Sequence, residues 1–196
     1  IGELPLDGGQ SASDLGVLLE TMGVPDPYLV VGHSFGADVA RLFVAAHGEA
    51  TGGLILVEGQ HEDILDEQRK LLEGEDLEQL EQMVVRMSEM ADPRSELAYR
   101  SSTTEQLRSS GPLPEIPFVV ITAADRSGAL PPMFSEEAQT RLADLGVKLQ
   151  ERLAGLIPGG EHLLLEGVGH NVHIDRPEAL LTPLIHMIDV IERADE

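Results

Sequence analysis

The chain has 196 residues, 42% of them apolar and 24% charged, enough for one sizeable core in a single α/β unit. Its 35 Asp and Glu against 13 Lys and Arg give a net charge of −22, which repels phosphate backbones and anionic lipid and excludes nucleic acid and membrane surfaces as partners. With no cysteine, disulfides, thiol nucleophiles and cysteine-ligated metals are excluded too.

Residues 1–10 read as a Gly/Pro/Asp-rich loop, neither basic nor continuously apolar, so not a secretory leader; this points to the cytoplasm if residue 1 is the true start. Ser11 or Ser13 can cap a short helix to about Met22, which Gly23 stops. An apolar run, Tyr28 to Val31, predicts a buried strand that ends in Gly32-His33-Ser34-Phe35-Gly36. A helical pattern starts at once with Ala37, Val39, Ala40, Phe43 and Val44 and runs to about His47. Glycines at 32 and 36 are expected to keep Cβ atoms out of a sharp turn around Ser34. A second buried strand, Gly53 to Val57, ends at Glu58.

From about His61 to Ser110 strand signals vanish and acidic amphipathic helices take over, as in Leu77, Leu80, Val84, Met87 and Ala91 at helical spacing. This predicts a helical cap over 61–110, inserted into a core made of 1–60 and 111–196. Its Met83 and Met87, with His33, are candidate substrate-binding residues, although methionines at this spacing more often pack between helices. A third strand, Phe118 to Thr122, leads to Asp125. A helix over about Ser135–Leu153, a fourth strand His162–Leu165, the turn Gly167-Val168-Gly169-His170 and a last helix opened by Pro177 complete the chain. Strands alternating with helices predict a mostly parallel sheet flanked by helices, with its chemistry at the strand carboxyl ends.

The strand–turn–helix setting of Gly32-His33-Ser34-Phe35-Gly36 suits a serine nucleophile, since such a turn projects the hydroxyl and the helix N-terminus favours a developing oxyanion. The Phe35 N–H is one candidate oxyanion donor. A serine hydroxyl needs a base, and His170, on a turn after the last strand, is the best placed; His61 and His173 are its rivals. The acid orienting that base is either Glu58 or Asp125, both at strand carboxyl ends. Glu58 is favoured, because a carboxylate closing a buried strand needs a partner. No third ligand supports a metal beside His170 and His173, so no metal or other cofactor is expected.

These residues resemble the α/β-hydrolase superfamily over nearly the whole chain. Three further stretches are similar to a bacterial group of capped serine α/β hydrolases: Leu54-Ile55-Leu56-Val57-Glu58-Gly59-Gln60-His61-Glu62-Asp63, Gly111-Pro112-Leu113-Pro114-Glu115-Ile116-Pro117, and Gly169-His170-Asn171-Val172-His173-Ile174-Asp175-Arg176-Pro177-Glu178. That group has aspartate where Glu58 stands, and some haloalkane dehalogenases carry a glutamate acid after the same strand. The resemblance thus implies Glu58 as the acid, and serine rather than aspartate at position 34 sets the chain apart from dehalogenases. It also implies an N-terminal His-Gly type loop that supplies a second oxyanion N–H. No such segment is present, so the chain reads as an N-terminally truncated α/β-hydrolase fold. The activity expected is a serine hydrolase that cleaves carboxylic esters of small to medium molecules through an acyl-enzyme on Ser34. The alternative is a small-ligand-binding protein on the same scaffold, weakly catalytic or inert.

Overall fold

In the computed structural model, which describes residues 7–92, 95–124 and 133–194, four strands form one sheet. They are β1 (Tyr28–His33), β2 (Thr51–Val57), β3 (Phe118–Ala123) and β4 (Glu161–Leu165), in the spatial order β1-β2-β3-β4. Every pairing is parallel, with Val31 opposite Ile55, Leu56 opposite Val120 and Ile121 opposite Leu163. All four carboxyl ends therefore lie along one edge. The parallel arrangement requires crossovers, and helices supply them.

The helices are α1 (Gly8–Met22), α2 (Phe35–Ala46), α3 (Ile64–Leu71), α4 (Gly74–Met90), α5 (Arg100–Ser109), α6 (Glu136–Ala154), α7 (Val172–Asp175) and α8 (Glu178–Ala194), with short 3₁₀ turns at Gly48–Ala50 and Glu96–Tyr99. Because strand side chains alternate, β2 and β3 feed two cores. Leu54, Leu56, Phe118 and Val120 face α2 and the end of α6, where they meet Phe43, Val44 and Leu153. Ile55, Val57, Val119 and Ile121 face the other way and meet Val168, Val172 and Met187. Leu54, Ile55 and Leu56 are all 0% exposed, and such burial contributes roughly 1.5–3 kcal/mol per side chain. A third cluster joins Leu72 and Leu80 to Phe134, Ala138 and Leu142, so the helices between β2 and β3 pack on α6.

The first helix starts earlier than Ser11 or Ser13 would place it. Asp7 is its N-cap, accepting from the Gln10 N–H at 2.9 Å, and Gly23 closes it in the left-handed region. The Asp7 cap wins because the Gly8 and Gly9 N–H groups also find distant acceptors, in Thr103 and Gln106 of α5. Helix α7, four residues long, is too short to show in the hydropathy pattern. On the outer side of β1, where no strand pairs among the described residues, an apolar groove of about 380 Å³ runs between Leu15, Leu19, Tyr28 and Val31.

Candidate active site

Ser34 stands between β1 and α2 with φ 55° and ψ −124°. A non-glycine residue held at positive φ stores roughly 1–3 kcal/mol and persists only where its surroundings enforce it. Here the Ser34 N–H is tied to the Val57 carbonyl at 3.0 Å, while the Ser34 carbonyl accepts from the Ala37 N–H at 3.0 Å. The two glycines of the turn are not equivalent. A Cβ on Gly32 would fall on the Gly36 carbonyl oxygen and the Ala37 backbone, whereas one on Gly36 would meet nothing within 4 Å. The expectation that both keep the turn clear is thus corrected: only Gly32 is crowded, since Gly36 turns its open side outward. Phe35 is the first residue of α2, and its N–H has no intrahelical acceptor.

Glu58 follows β2 directly, at φ 52°, and is 5% exposed. Its N–H donates to the Ile121 carbonyl at 2.9 Å, and its Oε1 accepts from the Ala123 N–H at 2.8 Å. Two backbone contacts to β3 therefore set the carboxylate. Its Oε2 lies 3.2 Å from His170 Nδ1. The exposed imidazole of His170 thus has a buried carboxylate behind it.

Local chemistry holds the loop that carries His170. Val168 and Val172 are pegged into the core on either side of it, at 6% and 0% exposure. The Gly169 N–H donates to Asp175 Oδ2 at 2.8 Å, and Arg176 donates to the Glu166 carbonyl at 2.9 Å. His33 adds a third tie. Its Nε2 lies 2.8 Å from the His170 carbonyl oxygen, which can only accept, so this nitrogen carries the proton. The His33 ring also packs 4.7 Å, centroid to centroid, from the rings of both His170 and His173. No direct hydrogen bond joins Ser34 Oγ to His170.

Ser34, Phe35, Glu58 and His170 come together at the carboxyl edge of the sheet. Asp125 lies outside the described residues. His33 contacts the His170 loop. Met83 packs against the Leu72–Leu80 cluster, and Met87 is 38% exposed. Neither methionine lines the groove at β1 or the smaller cavity between α3 and α6. Of the rival histidines, His173 is exposed and packs on the His33 ring, whereas His61 is engaged elsewhere. His61 is buried, with Nδ1 accepting from the Asp63 N–H at 3.1 Å, and burial pushes its pKa below the usual histidine value. Among the described residues no group of three or more His, Cys, Asp or Glu could hold a metal ion.

A charged cluster that hydropathy patterning does not reveal lies beside α2. Arg41, 5% exposed, donates twice to Glu62, at 2.8 and 3.1 Å. Burial pushes the Glu62 carboxyl up, but the bond to Arg41 and its charge, with smaller help from a backbone hydrogen bond and His61, together outweigh it and leave the group below the ordinary carboxylate range. Asp38, one turn after Ser34, has a solvent-shielded Oδ1 with no hydrogen-bond partner. Its desolvation exceeds the pull of Arg41 and Arg100 and raises its pKa to about 6.

No protein-family model matches the chain, and no curated protein matches it by sequence. Solved structures do match. A probable hydrolytic enzyme from Pseudomonas aeruginosa superposes with a TM-score of 0.57 at 18% identity, covering 95% of this chain and 71% of its own. A thermophilic esterase from Thermogutta terrifontis gives 0.58 at 18% identity, covering 97% and 75%. An α/β hydrolase fold protein from Burkholderia ambifaria gives 0.56 at 14%, covering 94% and 74%. The chain has the α/β-hydrolase fold, with a four-stranded parallel sheet flanked by helices.

Proposed function

We propose that this chain is a serine hydrolase acting on carboxylic esters of small to medium, uncharged or weakly charged molecules. The observation that carries the reading is the Ser34 turn, held at positive φ beside a loop in which His170 Nδ1 lies 3.2 Å from the buried Glu58. That the structural neighbours include a hydrolytic enzyme and an esterase supports it.

In this mechanism Glu58 accepts from the His170 Nδ1–H and so leaves Nε2 free as the base. Nε2 takes the Ser34 proton as Oγ attacks the ester carbonyl, and the new oxyanion is stabilised by the Phe35 N–H at the start of α2. The imidazolium, steadied by Glu58, returns its proton to the leaving alcohol, which yields an acyl-enzyme on Ser34. Water, deprotonated by His170, attacks that ester, and the acid product leaves with Ser34 restored. His33 helps by holding the His170 main chain. Residues 61–110 would serve as the cap over this edge, and the partner is a small molecule.

Turnover of p-nitrophenyl esters by the purified chain and by Ser34→Ala tests this. The enzyme reading requires turnover that the substitution abolishes while substrate binding survives. A chain that binds esters but never turns them over is instead the small-ligand-binding protein, and the reading fails.

A further inference from the structure

A buried polar chain lies behind Glu58, on the side of the sheet away from His170. Gln150, in the last turn and a half of α6, is 2% exposed, and Thr122 of β3 is 0% exposed. Gln150 Nε2 donates to the Gly59 carbonyl, the residue directly after Glu58. The Thr122 hydroxyl lies 3.3 Å from Gln150 Oε1 and 3.0 Å from His162 Nε2. Elementary valence fixes the direction of every bond. A carbonyl only accepts, so the amide nitrogen faces Gly59 and the amide oxygen faces Thr122. Thr122 must then donate its single proton to that oxygen and accept from His162 Nε2–H.

The chain of bonds grips both neighbours of the carboxylate. Glu58 is held at φ 52°, a strained conformation that its flanks must enforce. On one flank Gly59 is tied to Gln150, and its Cα is pressed so close to α2 that an added Cβ would come within 2.8 Å of Ala37 Cβ. On the other, Thr122 fixes the strand end beside Ala123, whose N–H holds Glu58 Oε1 at 2.8 Å. A fully buried glutamine at the inner face of an amphipathic helix demands desolvation that a leucine would avoid. Fastening the Glu58 turn is what its two bonds accomplish.

We propose that Gln150, working through Gly59 and seconded by Thr122, is a positioning residue that sets the Glu58 carboxylate against His170. It touches neither substrate nor the reacting atoms. The inference rests on the proposed serine-hydrolase reading with Glu58 as the acid.

The test uses p-nitrophenyl butyrate turnover and the proton resonance of the His170 Nδ1–H in the hydrogen bond to Glu58, measured on the whole chain. Gln150→Leu is close in volume but cannot hold the Gly59 carbonyl. Its kcat is expected to fall about 10- to 100-fold with KM within about twofold, as for a sub-ångström to ångström displacement of a catalytic group. The Nδ1–H resonance should move or broaden into exchange with water. Thr122→Val, which preserves shape in the strand, should lower kcat by about fivefold, in line with the loss of one neutral hydrogen bond. It serves as the second probe should Gln150→Leu fail to fold. Leu149→Ala, one residue along α6 and 1% exposed, controls for general destabilisation and should leave the resonance in place.

Wild-type kcat and an unmoved resonance in Gln150→Leu, or in Thr122→Val if that alone folds, overturn the proposal. Glu58→Gln, run in parallel, separates the two levels. If it is inactive while Gln150→Leu is normal, only the positioning role falls. If Glu58→Gln itself turns over normally, the acid assignment falls and the role of Gln150 with it.

Discussion

Asp38→Asn should stabilise the fold, and should do so in a pH-dependent way. Burial raises the Asp38 pKa from 3.8 to about 6 against the opposing pull of Arg41 and Arg100, and its Oδ1 is shielded with no partner. A carboxyl whose folded pKa exceeds its unfolded value binds more protons in the folded state between the two values. Stability therefore falls as pH rises from about 4 to about 6 and stays low above that. Two pKa units at about 1.4 kcal/mol each put the full cost of the ionised group near 3 kcal/mol at pH 8. At pH 5 only about half of that cost is present, since the folded carboxyl is then largely neutral. Asparagine never ionises, so the variant should gain about 2–3 kcal/mol at pH 8, allowing for its own unpartnered amide, and about 1.4 kcal/mol less at pH 5. Urea unfolding of both proteins at the two pH values reads this directly. For a chain of this size the pH 8 gain corresponds to a rise in Tm on the order of 4–12 °C. An equal effect at pH 5 and pH 8, or destabilisation at pH 8, would refute the desolvation reasoning.

Other perturbations follow from the same contacts. Glu58→Gln keeps the volume but removes the charge beside His170 Nδ1, and should reduce kcat by about 10³- to 10⁴-fold with the fold intact by circular dichroism. Asp125→Asn, assayed beside it, should leave ester turnover within about twofold of the parent. Gly32→Ala puts a Cβ onto the Gly36 carbonyl and should prevent folding or cost several kcal/mol, whereas Gly36→Ala meets open space and should fold normally, as thermal unfolding would show. Arg41→Leu leaves the half-buried Glu62 without its bidentate partner and should destabilise by about 2–3 kcal/mol, read from the shift in urea midpoint at constant slope.

The fold was legible because its signals are local and redundant. Tyr28–Val31 and Leu54–Val57 are apolar runs of strand length, each closed by polar or glycine residues, and the Ser34 turn supplies a strand, a tight bend and a helix in sequence. His170 stands out as a candidate base because it follows a strand on a glycine-flanked turn, and the structure places its Nδ1 3.2 Å from Glu58. The choice between Glu58 and Asp125 was harder, because both close a buried strand. For Glu58 it is the long-range register of β2 on β3 that brings the Ala123 N–H to its side chain, and no local pattern carries that register. Gln150 was invisible for a related reason. One of two glutamines in a highly charged amphipathic helix, it reads as surface until a carbonyl 91 residues away comes within hydrogen-bond reach. The first helix shows the opposite error, with nearby serines outranking Asp7 as a cap because the α5 contacts of Gly8 and Gly9 lie 95 and 97 residues downstream.

In the proposed mechanism Ser34 is a nucleophile activated by His170. Reaction of the chain with a serine-reactive fluorophosphonate, with the adduct mapped by mass spectrometry, addresses it without knowledge of the natural substrate. A rapid adduct on Ser34, lost in His170→Ala and slowed in Glu58→Gln, is the expected result. Folded protein that forms no adduct, or labels Ser34 equally well without His170, would contradict it.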